Sequence, residues 1–487
     1  MRGPPSSTGL LAVFDRASSG APEHARMASS STEPSPAVAR DVSFDRWLDE
    51  QHRRQRYDVR RTPLDTLPGW RFCRDTGDLV HSSGRFFSVS GLRATTGFGA
   101  EGQRPRSWTQ PVIVQREVGL LGILLKEYRG EVHCLLQAKM EPGNLNGLQL
   151  SPTVQATRSN FTGVHRGRRV PYTEYFTGDR HGGRVLADSL QSEQGWWFLH
   201  KRNRNVVVMT DEDVPALDGF RWLSLRQVGE LLRTDHLVNM DSRTVLSTLP
   251  RQLLAGPGGV SAPVREDDAL HSFTEVLSVL ADARFRYELV QEQLPLRKVL
   301  EDDTSPWQRT RDGIGRHDGR HFTVLGVSVE AEAREVARWS QPLLAPVAGL
   351  AGLLVQRVDG VPHVLLRARV EAGTLNVAEF GPTVQCSPRH LNGRGARRPE
   401  FLDTLLAPRA GRVLFDTEQS EEGGRFHHAL TRNLIVELDE ADEGAARDLP
   451  PDFCWVSVPQ AQALLRHGNH LNVQARCLMT ALTLATR

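Results

Sequence analysis

The chain has 487 residues, enough for two or three ordinary domains, and carries 60 Lys+Arg against 58 Asp+Glu for a formal net charge of +2. That balance argues against bulk electrostatic binding to nucleic acid or to an anionic membrane. No apolar run reaches the roughly 20 residues that cross a bilayer, and five scattered cysteines without ligand spacing point to a reduced, cytoplasmic protein with no structural metal.

Residues 1–42 are rich in Ser, Ala, Pro and Arg and lack both periodicity and the apolar core of a signal peptide, so a disordered tail is expected, with Met27 as an alternative start. A helix follows at "SFDRWLDEQHRRQ", with Ser43 placed to cap it. The basic run "HRRQRYDVRR" at 52–61 reads as a solvated face or a dimer contact. "GLLGILLKEYRGEVHCLLQAKM" reads as strand, turn at Arg129–Gly130, strand. The polar stretch "EPGNLNGLQLSPTVQATRSN" comes next, then a strand at "NVVVM" and a closing helix at "SLRQVGELLR".

Most of this is then written again. Glu141 and Glu371, Thr153 and Thr383, and Gln155 and Gln385 each stand 230 positions apart, and nine of the 21 positions in 137–157 match 367–387 without a gap. Chance would give about one or two. "SWTQP" (107–111) matches "RWSQP" (338–342), "SGRFFSVSG" (83–91) matches "DGRHFTVLG" (318–326), "LQSEQG" (190–195) matches "EQSEEG" (418–423), and "VNMDSR" (238–243) matches "LNVQAR" (471–476). The chain is therefore read as two whole α+β domains, 43–250 and 272–487, each with a mixed or antiparallel sheet and flanking helices, joined by a Gly/Pro-rich linker at 251–271. In the second copy the turn falls at Asp359–Gly360, the later strand at "NLIVEL" and the closing helix at "VPQAQALLR".

No P-loop and no strand-borne G-x-G-x-x-G is present. "SEEGG" at 420–424 has glutamates but not the helix or spacing of a Nudix magnesium box, since Gly423–Gly424 would break a helix there; a tight hairpin turn is expected instead. His427–His428 has no partner at metal-ligand spacing and reads as buried or hydrogen-bonded. The duplicated polar stretch reads as a pocket wall: Asn, Gln and Thr offer paired donors and acceptors to sugar hydroxyls and a base edge. Lys139 and Arg369 supply cations for phosphate, and Trp108 and Trp339 offer faces for stacking or else belong to the core.

"AKMEPGNLNGLQLSPTVQATRSNFTGVHRG", "VPYTEYF", "QSEQGWWF" and "VNMDSR", with their partners in the second copy, resemble the NDP-hexose 2,3-dehydratase family over roughly 43–487. The resemblance implies two Nudix-like domains in one subunit, usually dimeric, with a nucleotide-sugar pocket in each. It implies cofactor-independent dehydration of dTDP-4-keto-6-deoxy-glucose to the 3,4-diketo-2,6-dideoxy sugar in antibiotic deoxysugar biosynthesis, with a 3-ketoreductase acting next. A Nudix-type pyrophosphohydrolase and a non-catalytic nucleotide-sugar binding protein are the alternatives.

Such a reaction needs a base at C3, an acid at C2 and donors near the C4 oxygen. The first repeat is expected to be catalytic, because two of the five tyrosines lie in its "PYTEYF" and none in the matching "RPEFLD". Tyr172 or Tyr175 with Glu141 or Glu193 would move protons, and Lys139 would meet the enolate. Arg85, Trp108, Gln110, Asn144, Gln149, Gln155, Thr157, Ser159, Asn160 and Arg243 would hold the ligand. The second pocket would draw on Arg320, Trp339, Arg369, Glu371, Glu379, Gln385, Glu421, His427 and Arg476, and the opposite assignment of the chemistry stays open.

Overall fold

The computed structural model describes residues 44–98, 105–157, 170–178, 183–254, 268–331, 337–387, 398–407, 411–439 and 449–486. The tail with Met27, Ser43, most of the linker, Ser159 and Asn160 lie outside the described residues.

The first repeat contributes β1 (Tyr57–Thr62), β2 (Trp70–Phe72), β3 (Leu79–His81), β4 (Ser88–Phe98), β5 (Arg106–Val114), β6 (Gly119–Tyr128), β7 (Glu131–Met140), β8 (Leu148–Ser151), β9 (Val154–Ala156), β10 (Arg184–Ser192), β11 (Arg202–Met209) and β12 (Phe220–Ser224). The second repeats the set as β13 (Tyr287–Leu294), β14 (Trp307–Thr310), β15 (Gly313–Arg316), β16 (Phe322–Ala331), β17 (Arg338–Pro346), β18 (Gly349–Val358), β19 (Val361–Val370), β20 (Ala378–Gly381), β21 (Val384–Cys386), β22 (Gly411–Ser420), β23 (Leu430–Leu438) and β24 (Phe453–Ser457).

Two seven-stranded mixed sheets carry the same order: β10-β11-β6-β7-β12, with β8 on β7 and β9 on β6, and β22-β23-β18-β19-β24, with β20 on β19 and β21 on β18. In each, one parallel pair, β11–β6 or β23–β18, sits among antiparallel neighbours. Gly119–Leu125 of β6 is buried at every position, which is why "GLLGILL" is apolar throughout rather than alternating. The turns at Arg129–Gly130 and Asp359–Gly360 have positive φ at both residues, the geometry a two-residue hairpin demands.

The other two sheets are shared between the repeats. β4 pairs with β13 from Tyr287↔Phe98 to Leu294↔Gly91, and β16 pairs with β1 from Tyr57↔Ala331 to Thr62↔Gly326. Each repeat thus lends its first strand to the other's smaller sheet. The basic run at 52–61 therefore ends as a strand on the second repeat.

The helices Leu225–Leu231 and Val458–Leu464 form where expected, each opened by a Ser capping box, Ser224 with Gln227 and Ser457 with Gln460. Neither ends its repeat. The helices Met240–Leu246 and Val473–Thr480 follow, capped by Asn239 and Asn472 and buried along their whole length. They lie in one core cluster that contains Leu121, Ile123 and Leu136 of the first repeat beside Leu353, Val355 and Leu366 of the second. A helix with no exposed face shows no polar stripe, so periodicity does not reveal it.

Candidate functional site

A cavity of ≈ 850 Å³ opens where the first repeat's mixed sheet meets the two smaller sheets. Its floor belongs to the first repeat: Lys139 at the end of β7, Glu141, Gln155 on β9, Asp241 in the first turn of Met240–Leu246, and Lys201 with Asn203 near the start of β11. Trp70, His81, Arg85 and Phe86 form one side of the mouth. The second repeat closes the other, with Ser328–Glu330 of β16, Arg338–Gln341 of β17, and Glu422, Gly424 and Arg425 from the connection between β22 and β23. That connection is a nine-residue hairpin loop, 421–429, in place of the tight turn expected at "SEEGG".

Main-chain bonds hold this loop across the repeats. Gly143 N–H donates to the Gly423 carbonyl at 2.8 Å, and His428 N–H donates to the Gly143 carbonyl at 2.8 Å. A Cβ on Gly143 would strike the Phe426 carbonyl oxygen, so only glycine permits the approach.

Lys139 Nζ lies 3.6 Å from Glu141 Oε1 and donates to the Gln155 carbonyl at 3.3 Å. Gln155 Nε2 donates to the same Glu141 oxygen at 3.0 Å. Glu141 Oε2 and Asp241 Oδ1 are buried with no hydrogen-bond partner among the described residues. Buried acceptors of this kind are rare unless something else is meant to meet them. Burial holds the Asp241 carboxyl well above the usual range, and Glu422, Glu193 and Glu141 push the same way against Lys139. The Glu422 carboxyl is also raised, by burial first; Arg425 opposes and Glu141 adds to it. Arg425 donates to Gln115 Oε1 at 3.1 Å and lies 4.4 Å above the Phe87 ring. Lys201 donates to the Glu117 carbonyl.

The cavity thus brings together Arg85, Lys139, Glu141, Gln155 and Thr157 of the expected first pocket, and adds Trp339, which was expected in the second. Glu193 stands behind the wall, where burial raises its carboxyl to about 7 and Asn203 Nδ2 donates to it at 2.7 Å. The two tyrosines expected to move protons lie elsewhere. The Tyr172 hydroxyl donates to the Pro215 carbonyl at 2.8 Å and accepts from Leu217 N–H, with its ring against Phe220. Tyr175 donates to Glu212 at 3.0 Å, and burial with that carboxylate pushes it up to about 12. Neither lines the cavity, and the nearby charge on Tyr175 is an anion rather than the expected cation.

Other expected ligand residues serve the framework. Asn144 donates to the Gly147 carbonyl, Gln149 to Ser420 Oγ at 3.0 Å, and Arg243 to the Ser420 carbonyl. Trp108 donates to Gln110, which donates to the Trp196 carbonyl. Arg320 lies half-buried just after the exposed turn at 317–318, beside Asp318 and outside the cavity.

The second constellation is bonded largely within itself, although Arg369 Nε, Glu379 Oε1, His427 Nδ1 and Arg476 Nε are buried with no hydrogen-bond partner among the described residues. Glu371 accepts from Gln385 at 3.1 Å, from Asn472 at 3.4 Å and from Gly195 N–H at 3.0 Å. Glu421 accepts from Gln194, Thr431 and Gln474 at 2.7–2.8 Å. Glu379 accepts from Ser192, and Arg476 donates to the Ser192 carbonyl at 2.6 Å. Part-buried Arg369 lies close enough to Glu371 to offset part of the burial that raises its carboxyl. His427 is pushed down to about 4 by burial and stacks on His428 at 3.9 Å.

The sequence reading missed Asp241, Lys201, Asn203, Glu422 and Arg425. Their signal lay in the differences between copies. Asp241 faces Gln474 in the alignment, Lys201 faces Ala429, Glu422 faces Gln194 and Arg425 faces Trp197.

The sequence profile of the NDP-hexose 2,3-dehydratase family matches residues 41–249 and again 273–482. A Streptomyces violaceoruber protein named dTDP-4-dehydro-6-deoxy-alpha-D-glucopyranose 2,3-dehydratase is 46% identical over 442 residues, 90% of this chain and 96% of its own. Proteins of the same name from Saccharopolyspora spinosa and Amycolatopsis orientalis are 46% and 43% identical, covering 91% and 90% of this chain and 91% and 89% of their own. A solved ADP compounds hydrolase covers 30% of this chain and 74% of its own at 20% identity with a TM-score of 0.19, a likeness too slight to argue from. The profile spans both repeats and the relatives match nearly end to end, so the chain belongs to the NDP-hexose 2,3-dehydratase family.

Proposed function

We propose that the cavity removes water across C2 and C3 of dTDP-4-keto-6-deoxy-glucose. The observation that carries this is two carboxyls of different character in the same cavity: Glu141 beside the Lys139 cation, and Asp241, whose carboxyl burial holds well above the usual range and so favours as the proton donor. The C4 ketone acidifies the C3 hydrogen. Glu141 takes that proton, and Lys139 stabilises the enolate charge on O4. The C2–O bond then breaks, the C2=C3 bond forms, and Asp241 gives its proton to the departing hydroxyl. The resulting enol becomes the 3-ketone when O3 loses its proton and C2 gains one. A ketone, a base and an acid suffice for every step, so the reading is cofactor-independent.

The nucleotide would lie toward the mouth. Trp70, Phe86 and Trp339 offer faces for the base, and Arg85, Arg338 and Arg425 offer charge for the pyrophosphate. The second repeat would supply walls and support rather than chemistry. Each repeat fits a Nudix-like unit whose metal box is gone; the "SEEGG" glutamates of the second, Glu421 and Glu422, stand in a hairpin loop rather than on a helix. A cytoplasmic homodimer, within antibiotic deoxysugar synthesis and coupled to a 3-ketoreductase that consumes the reactive 3,4-diketone, completes the proposal.

The test is incubation of metal-stripped protein with dTDP-4-keto-6-deoxy-glucose in deuterium oxide, followed by NMR and mass spectrometry. Loss of water with deuterium at C2 is expected. A sugar that binds and stays unchanged would overturn the reading in favour of a recognition protein.

A further inference from the structure

We propose that Glu422 is a catalytic residue of this cavity, supplied by the second repeat, and that it accepts the O3 proton as the enol becomes the ketone. The inference rests on the dehydration reading above.

Three observations lead to it. Glu422 lines the same cavity as Lys139, Glu141 and Asp241, though it belongs to the other repeat. Its loop is not placed there loosely: Gly423 and His428 are bonded to Gly143, and Arg243 reaches from the Asp241 helix to the Ser420 carbonyl. The internal comparison is the third. The matching loop of the first repeat carries Gln194, whose amide donates to Glu421 at 2.8 Å and to Met240 Sδ. An uncharged amide therefore stands in this loop, its Nε2 meeting only side chains of the framework. The carboxylate stands in the copy that faces the open cavity.

The chemistry leaves a place for it. Once water has formed, Glu141 holds the former C3 proton and Asp241 has given its own away. The new water lies between Asp241 and C2. The enol O3–H must still lose a proton while C2 gains one. In this step the O3–H bond breaks toward a Glu422 oxygen and its electrons form the C3=O3 bond. The C2=C3 pair takes a proton from Glu141, which exchanges with solvent. Glu422 then passes its proton to Asp241 through the released water, and all three carboxyls return to their starting states. Burial makes Glu422 a stronger proton acceptor than an ordinary carboxylate, while Arg425, Lys201 and Lys139 keep its anion tolerable.

The experiment is single-turnover reaction of the full chain in deuterium oxide, read by NMR for both phases: loss of the C2 hydroxyl, and deuteration at C2. In Glu422→Gln, which installs the residue the first repeat's loop already accepts, water loss should fall less than about tenfold. C2 deuteration should fall about a hundredfold or more, so the C2 vinyl signal of the enol builds up. Glu422→Asp should restore part of the second phase. Equal rates to wild type in both phases, or an equal fall in both with an unchanged melting temperature, would overturn the assignment. A melting temperature that drops in Glu422→Gln while Glu422→Asp shows no separation of phases would overturn it too, as a structural role. A wild-type enzyme that releases no water would instead sink the dehydration reading, and this inference with it.

Discussion

Lys139 is the side chain whose loss should be felt most directly in rate. Its ammonium is nearly buried, held between Glu141 and the Gln155 carbonyl, and lines the cavity in which the proposed reaction would develop an anion on O4. A preorganised donor of this kind is worth roughly 10²–10³ in turnover. Lys139→Met should therefore lower kcat by about that factor, with a much smaller change in KM. Tyr175→Phe is the contrasting case. Its hydroxyl bonds to Glu212 on a part-exposed face outside the cavity, so kcat should stay within about twofold. Steady-state kinetics on the two variants checks both. A fully active Lys139→Met enzyme would remove the enolate assignment, and an inactive, folded Tyr175→Phe enzyme would reinstate the tyrosine.

At the scale of elements, the cavity depends on two loops from different repeats lying back to back. The pseudo-symmetric contact repeats the design: Gly373 N–H donates to the Gly195 carbonyl at 2.6 Å, and His200 N–H donates to the Gly373 carbonyl at 2.9 Å. A Cβ on Gly143 would meet the Phe426 carbonyl, and one on Gly373 the Phe198 carbonyl; backbone cannot yield as a side-chain tip can. Gly143→Ala and Gly373→Ala should each cost about 2–4 kcal/mol of stability by denaturant unfolding. Only Gly143→Ala shifts the loop bearing Glu422 and Arg425, so at temperatures where both variants are folded its kcat should fall at least about tenfold further. Equal kcat in the two folded variants would show that the crossing loop does not set the geometry of the chemistry.

The same elements show what the sequence could reveal. The hairpins at Arg129–Gly130 and Asp359–Gly360 were legible because a turn with two positive φ values leaves a glycine signature between apolar runs. The duplicated "E-x-G-x-L-N" stretch was legible as a duplication because two copies can be compared within one chain; of its first copy, Glu141 and Pro142 line the cavity. The exchange of β1 and β13 was not, since a strand's composition says that it pairs but not which edge receives it. Asp241 was hidden for a related reason: its helix is buried on every face, and its role comes from a cavity that three other segments complete. The tyrosines lie outside this cavity, and being unique to one copy is as consistent with packing as with chemistry.

At the scale of the molecule, folding joins the repeats through a shared core and also through a seam of buried charge. Glu193 lies in that seam. The Arg476 cation from the second repeat, then Glu422 and Lys201, are the charges that face it, and Asn203 holds one oxygen. Its other oxygen is buried without a partner among the described residues. Burial raises its folded pKa to about 7, against about 4.3 for a free glutamate. Between those values the folded protein binds a proton that the unfolded chain does not. Stability from this group is therefore present in full below about pH 4 and is lost as pH rises through about 7. Glu193→Gln has no such titration. The melting temperature of the wild type minus that of Glu193→Gln should fall as pH is raised from about 5 to about 8 and level off above, in full chains compared at equal ionic strength. A difference that is flat over this range would mean that water reaches Glu193 and screens it. One that rises would mean that Arg476 and Lys201 outweigh burial, and that the seam is bound together by the ion pair rather than strained by the buried carboxylate.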